Sequence, residues 1–145
     1  MNQLYTNENH RLNYLASEIN SLYHQFSIRL GLSDSVSIIL YTIYDLGDGC
    51  LLSEIYKSSG ISKQTIGSAI RSLEEDGILF LAQHDGRSKK VILTEKGKDY
   101  VKKTAARIYD AELKALDTWT KEEIETYIRL TEKYLESFRQ QIEKG

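Results

Sequence analysis

Apolar positions recur along this chain with a spacing that changes several times. Between residues 8 and 29, Leu12, Leu15, Ile19, Leu22 and Phe26 alternate at intervals of 3 and 4, one apolar stripe on a long helix. Gly31 ends that helix, and Ser33 can cap a second one running to about Leu46. The second helix carries Val36, Ile38, Ile39, Leu40, Ile43 and Leu46, which cover most of its circumference. A helix apolar nearly all round is central and buried. The "GDG" at 47–49 reads as a turn.

A short helix is predicted over about 52–58, with Gly60 just past its end, where a left-handed residue is wanted. Ser62 is a good N-cap for the next helix, and Ile61 and Ile66 occupy its staple positions. Two short helices joined by about three residues around a glycine form a helix-turn-helix unit. On the second of them Ile66, Ile70 and Leu73 share the inner face. Gln64, Ser68 and Arg71 cluster on the outer face, flanked by Lys63, Thr65, Gly67 and Ser72. That face has no acid until Glu74, Glu75 and Asp76, whereas an ordinary solvated face mixes both signs throughout. Small, polar and basic residues suit the N-terminal half of a helix that enters a major groove.

Gly77 closes that helix, and "ILFLA" (78–82) and "KVIL" (90–93) read as two strands joined by "QHDGRSKK". Thr94 can cap a helix to about Leu116 whose buried side holds Tyr100, Val101, Ala105, Ile108 and Leu113. Thr120 and Glu123 form a capping box, and Trp119 with Ile124 a staple, at the head of a last helix. It runs to about Ile142, with Ile124, Ile128, Leu135, Phe138 and Ile142 as its stripe.

The fold class predicted is mainly α with a small β-hairpin wing: a winged helix-turn-helix domain plus N- and C-terminal helices. A winged helix needs only about 60 residues, so the terminal helices are surplus to it. Helices at chain ends stay ordered when docked. The simplest partner for a long apolar stripe is the same stripe on a second copy, about a two-fold axis. Leu12, Leu15 and Ile19 at one end, and Ile128, Leu135, Phe138 and Ile142 at the other, are the candidate dimer residues. The expected division is 1–32 and 117–145 as a helical dimerisation region, and 33–116 as the winged domain with its connecting helix, in one compact chain.

Composition narrows the function. A chain of 145 residues fits one domain. The absence of proline argues against a Pro-rich linker, and no apolar run approaches the roughly 18 residues of a membrane span. The N-terminus has no signal-peptide layout, and the single Cys50 excludes an internal disulfide, so a reducing cytoplasm is the expected setting. Cys50 could be a peroxide sensor or a small structural thiol, and the absence of an adjoining cation in sequence to lower its pKa favours the structural thiol. His10, His24 and His84 lack metal-ligand spacing, and no phosphate loop, triad or nucleophile elbow is present, so neither cofactor nor catalysis is expected. Tyr14, Tyr23, Tyr41, Tyr44 and Tyr109 could line a cleft for an aromatic effector or serve as core and interface residues. The net charge of −2 is unevenly spread: residues 1–50 carry two basic and five acidic groups, residues 51–103 ten and seven, and residues 104–145 seven and nine. The cationic middle is compatible with a local phosphate-binding face.

The stretches "ISKQTIGSAIRSLEEDGIL" and "DGRSKKVILTEKG" resemble the recognition helix and wing of the MarR family of winged-helix transcriptional regulators. The element order of nearly the whole chain is similar to that family's too. The resemblance implies that Gln64, Thr65, Ser68 and Arg71 sit in the major groove, with Ser62 and Lys63 on phosphates. It implies that Arg87 enters the minor groove, oriented by Asp85, while Lys89 and Lys90 meet phosphates. A guanidinium independently suits a narrow, electronegative minor groove, and a neighbouring carboxylate can direct it. Two residues depart from the pattern: Tyr56 stands where a small residue is usual between the helices, and Leu51 where Ser or Thr often caps. The reading that follows is a homodimeric repressor of near-palindromic double-stranded DNA, with a small-molecule effector of unknown identity. The alternative is a winged helix that binds an acidic protein partner, against which the acid-free face at 62–71 argues.

Overall fold

The computed structural model describes residues 4–47 and 49–145; Asp48, in the predicted turn, lies outside them. The described residues form α1 (Thr6–Arg29), α2 (Asp34–Leu46), α3 (Leu52–Ser59), α4 (Lys63–Glu75), β1 (Leu79–Asp85), β2 (Ser88–Leu93), α5 (Glu95–Lys103), α6 (Ala105–Leu116) and α7 (Lys121–Lys144). They divide into two compact units, one ending at Tyr109 and the other Asp110–Gly145.

The first unit is built around α2. Ser33 caps it, its hydroxyl accepting from the Val36 N–H at 3.2 Å. Ile39, Leu40 and Ile43 are fully buried, as the all-round apolar pattern requires, with Ile55 of α3, Ile66 of α4, Leu79 of β1 and Val91 of β2 closing over them. Each such side chain stabilises the fold by about 2 kcal/mol relative to exposure. Outside this core, α1 buries only Ser27, whose hydroxyl donates to Ser37 of α2 at 2.9 Å. A second tie joins the same helices: His24 Nδ1 lies 2.9 Å from both carboxylate oxygens of Asp34. Tyr41 and Tyr44 of α2 pack on Tyr109 of α6, with ring centroids 5.8 and 5.2 Å apart.

Leu51 caps α3 without a polar side chain. The cap is half a box: the Glu54 carboxylate accepts from the Leu51 N–H at 2.9 Å. Leu51 also stands opposite Lys90, and the Cys50 carbonyl accepts from the Val91 N–H at 2.8 Å. The segment before α3 therefore lies along β2 and holds the base of the hairpin, which explains why Cys50 is buried.

Two predicted features are corrected. The strands extend well into the stretch predicted as a loop, pairing Gln83 with Lys89 and Asp85 with Ser88, so only Gly86 and Arg87 turn the chain. Polar side chains cost an exposed hairpin nothing, because the ladder bonds belong to the backbone. The helix predicted from 94 to 116 is broken at Thr104, whose backbone leaves helical geometry at φ −126°, ψ −93°. Its hydroxyl donates to the Tyr100 carbonyl four residues back, at 2.7 Å, a local bond known to bend helices. Leu113, placed on the buried side by sequence, is half exposed.

In the second unit α7 carries the expected capping box: Thr120 Oγ1 accepts from the Glu123 N–H at 3.1 Å and Glu123 Oε1 from the Thr120 N–H at 2.8 Å. Trp119 meets Tyr127 edge-on at 5.5 Å. None of the described residues of α7 is buried.

One packing contact is testable alone. Gly97, in the first turn of α5, faces the Ile78 carbonyl so closely that a Cβ there would lie 1.8 Å from its oxygen. Gly97→Ala should therefore destabilise the protein by about 3 kcal/mol, the upper end of overpacking costs. Urea denaturation checks this; an unchanged midpoint would mean that α5 shifts freely.

Candidate nucleic-acid interface

The helix pair α3–α4 turns at Gly60, left-handed at φ 67°, as predicted. Ser62 then starts α4: its hydroxyl accepts from the Thr65 N–H at 3.2 Å and donates to Thr65 Oγ1 at 2.9 Å. Ile66, Ala69, Ile70 and Leu73 are buried, which fixes the rotation of α4 about its axis. That rotation exposes Lys63, Gln64, Thr65, Ser68, Arg71 and Ser72 together, the face read from the sequence, with Glu74 and Glu75 only at its far end.

Tertiary packing adds residues that sequence spacing did not reveal. Ser33 and Ser35, from the first turn of α2, line one side of a cleft of about 440 Å³ whose other side is Gln64, Thr65, Ser68 and Ser72 of α4. Val36 and Ala69 also line it, so four of the eight side chains are serines and one a threonine, short donors and acceptors over an apolar floor. Their separation of about thirty positions along the chain leaves no local pattern to find.

Tyr56 gains a role here. It is half buried against the core, and its ring carries the Lys63 ammonium 5.7 Å from its centroid. An aromatic face holds a cation by its quadrupole, so the bulky departure from the usual small residue gives Lys63 a shelf.

The wing presents its cations from a short, well-paired ribbon. Arg87 sits in the two-residue turn, Lys89 faces solvent and Lys90 is half buried opposite Leu51. The Gln83 amide donates to the Gly86 carbonyl and closes the tip. Asp85 was expected to orient Arg87, but the described ion pairs do not join them. The register irregularity between Gln83 and Asp85 lies on the strand that carries this carboxylate.

On the neighbouring α5 two of the lysines are ion-paired, while Lys96 and Lys102 of the same helix are not. On α5, Lys98 meets Glu95 at 3.3 Å and Lys103 meets Asp99 at 2.8 Å, and the Lys103 pKa is raised by that hydrogen bond and by the Asp99 charge. Among the described residues, Lys63, Arg71, Arg87, Lys89 and Lys90 have no carboxylate at ion-pair distance. Five unneutralised cations on one helix and one hairpin form a surface ready for phosphate.

Residues 30–88, which span α2, the helix-turn-helix and β1 to the wing tip, match the sequence profile of the MarR family. The family match covers this segment, less than half of the chain. The fold of MarR-family proteins extends well beyond it. A MarR family regulator from Neisseria meningitidis superposes with a TM-score of 0.82 at 19% identity, over 99% of both chains. MepR of S. aureus, in its DNA complex, gives 0.65 at 20% identity over 89% of this chain and 96% of its own. The PcaV transcriptional regulator of Streptomyces coelicolor, in complex with its natural ligand, gives 0.61 at 16% identity over 86% and 91%. A comparison with curated protein sequences gives no match.

The Ser62 cap can be tested apart from ligand binding. Ser62→Ala removes the oxygen that accepts from Thr65 N–H and should cost about 1 kcal/mol in chemical denaturation, while Ser62→Gly should cost a few tenths. Equal losses in the two variants would show that the hydroxyl does not cap α4.

Proposed function

We propose that this protein is a dimeric, sequence-specific regulator of transcription that binds double-stranded DNA and represses by occupying promoter sites. The observation that carries the reading is the set of five unpaired cations on α4 and the wing, beside a polar face free of acids from Ser62 to Arg71. Gln64, Thr65, Ser68 and Arg71 are the base readers on α4. Ser62 and Lys63 at its start, with Lys89 and Lys90 on β2, hold phosphates, and Arg87 at the tip enters the minor groove. A helix of this diameter fits the roughly 12 Å major groove. The DNA complex of MepR and the natural-ligand complex of PcaV support the same reading, with a small molecule as its input. The expected setting is the cytoplasm, where such a site meets its DNA.

Duplexes selected from a random pool test the assignment. Gln64→Ala should weaken the selected duplex by about 1–3 kcal/mol and leave scrambled DNA nearly unaffected, since a bidentate Gln–adenine pair is worth that much discrimination. Lys89→Ala should weaken both duplexes and flatten the dependence of log K on log salt by about one unit. Absence of salt-dependent binding to any duplex would sink the proposal in favour of a protein partner.

The dimer follows from the terminal helices. On α1 Leu12, Leu15 and Ile19, and on α7 Ile128, Leu135, Phe138 and Ile142, stand 41–63% exposed along helices of 24 residues each. Apolar stripes of that length mark an interface, and a second copy supplies the same stripes about a two-fold axis. Two reading heads then make the second contact effectively intramolecular. Leu15→Glu and Phe138→Glu should each shift sedimentation toward the monomer and lower specific affinity at least tenfold. A dimer retained with full affinity in both variants would place the interface elsewhere.

A further inference from the structure

The nine glycines divide by what the chain asks of them. Six stand at φ between +51° and +100°, where other residues are strained. Gly97 makes room for the Ile78 carbonyl, and Gly145 follows the last turn of α7. Gly67 fits neither class. It lies in the interior of α4, outside the left-handed region, and a Cβ there would meet only Arg71 Nη1, at an ordinary 3.7 Å. Alanine would fit, and glycine in a helix interior weakens the helix relative to alanine. Nothing in the packing of the described residues therefore requires glycine at this position.

Its neighbours indicate what comes close. Gln64 precedes it by three residues and Arg71 follows by four, so Gly67, itself half-buried, is a gap between two long exposed side chains at the edge of that face. A glutamine that pairs with adenine reads an A·T pair, which presents a thymine C5 methyl beside the adenine edge. A gap one methyl deep next to Gln64 matches that group in size and polarity.

Resting on the DNA-reading function proposed above, we infer that Gly67 is a specificity-determining position: its missing side chain admits the major-groove methyl of a thymine against the backbone of α4. The position selects A·T over other pairs at that step and lets α4 sit deeper in the groove than any side chain there would permit.

The test trades one methyl for another. Gly67→Ala adds a methyl to the protein, and deoxyuridine in place of a single thymine removes one from the DNA. On the selected duplex, Gly67→Ala should bind at least tenfold more weakly, while its urea midpoint stays equal to the wild type or rises. One deoxyuridine, scanned through the half-site, should restore most of that loss for the variant and weaken the wild type. The loss should persist in an Arg71→Ala background, because the glycine acts by space and not by steering the guanidinium. The inference is overturned by full affinity in Gly67→Ala, by a lowered midpoint, by rescue at no thymine, or by a loss that disappears without Arg71. A wild type that binds no duplex would instead remove the proposed function, and this inference with it.

Discussion

The Thr94 hydroxyl is the point on which the reading surface turns. It donates to the Gly77 carbonyl at 2.6 Å and accepts from the Gly97 N–H at 2.9 Å, while the Thr94 N–H reaches the Ile78 carbonyl at 3.0 Å. One residue thus bonds the exit of α4 to the entry of α5. Lys96 adds a bond from its ammonium to the Asp76 carbonyl at 2.7 Å, covering a backbone acceptor at the C-terminus of α4. Because the hairpin leaves and returns at this clamp, with Leu79 paired to Leu93, its base is tied to the end of α4. The tip lies about 20 Å further out, at roughly 3.3 Å per strand residue, so small errors at the base would be magnified there. The run "LTEKG" therefore holds the wing in place: each of Thr94, Lys96 and Gly97 has a partner in the turn before it.

Much of this architecture was legible because its signals are local. Ser33, Ser62, Thr94 and Thr120 each accept from an N–H three residues on, a bond whose donor and acceptor are both visible in a short window of sequence. The inward set Ile66, Ile70 and Leu73 was equally legible, since period alone assigns a helix face. The misses share a different origin. Helical periodicity ran through Thr104 because the break alters backbone angles and leaves the apolar spacing intact. Gln83, Lys89 and Ser88 gave no strand signal because their side chains contribute little to a ladder held by main-chain bonds. Ser33 and Ser35 joined the candidate site only through the packing of α2 beneath α4.

The molecule distributes its apolar residues unequally. Helices α2 to α4 and the hairpin share one dry core, whereas α1 buries a single serine and α7 buries none of its described residues. Local devices hold α7 in shape: a capping box at its start, then Arg139 paired with Glu136 at 3.0 Å. Such pairs contribute only a few tenths of a kcal/mol each. Most helical stability in proteins comes from packing an amphipathic face, so burying its stripe would stabilise it more than these pairs do.

The charge order along α4 has a consequence for kinetics. Lys63 opens α4 and Arg71 lies just past its middle, Glu74 and Glu75 close its C-terminal end, and the helix dipole adds partial positive charge at the N-terminus. Seen from a polyanion, one end of the helix attracts and the other repels. With a screening length of about 8 Å at physiological salt, that difference is felt before any base is touched. If DNA is the ligand, as proposed above, approaches in which α4 leads with its C-terminus would be disfavoured and those leading with Ser62 favoured. The helix would then act as an orientational filter on encounter, one that fades as salt rises.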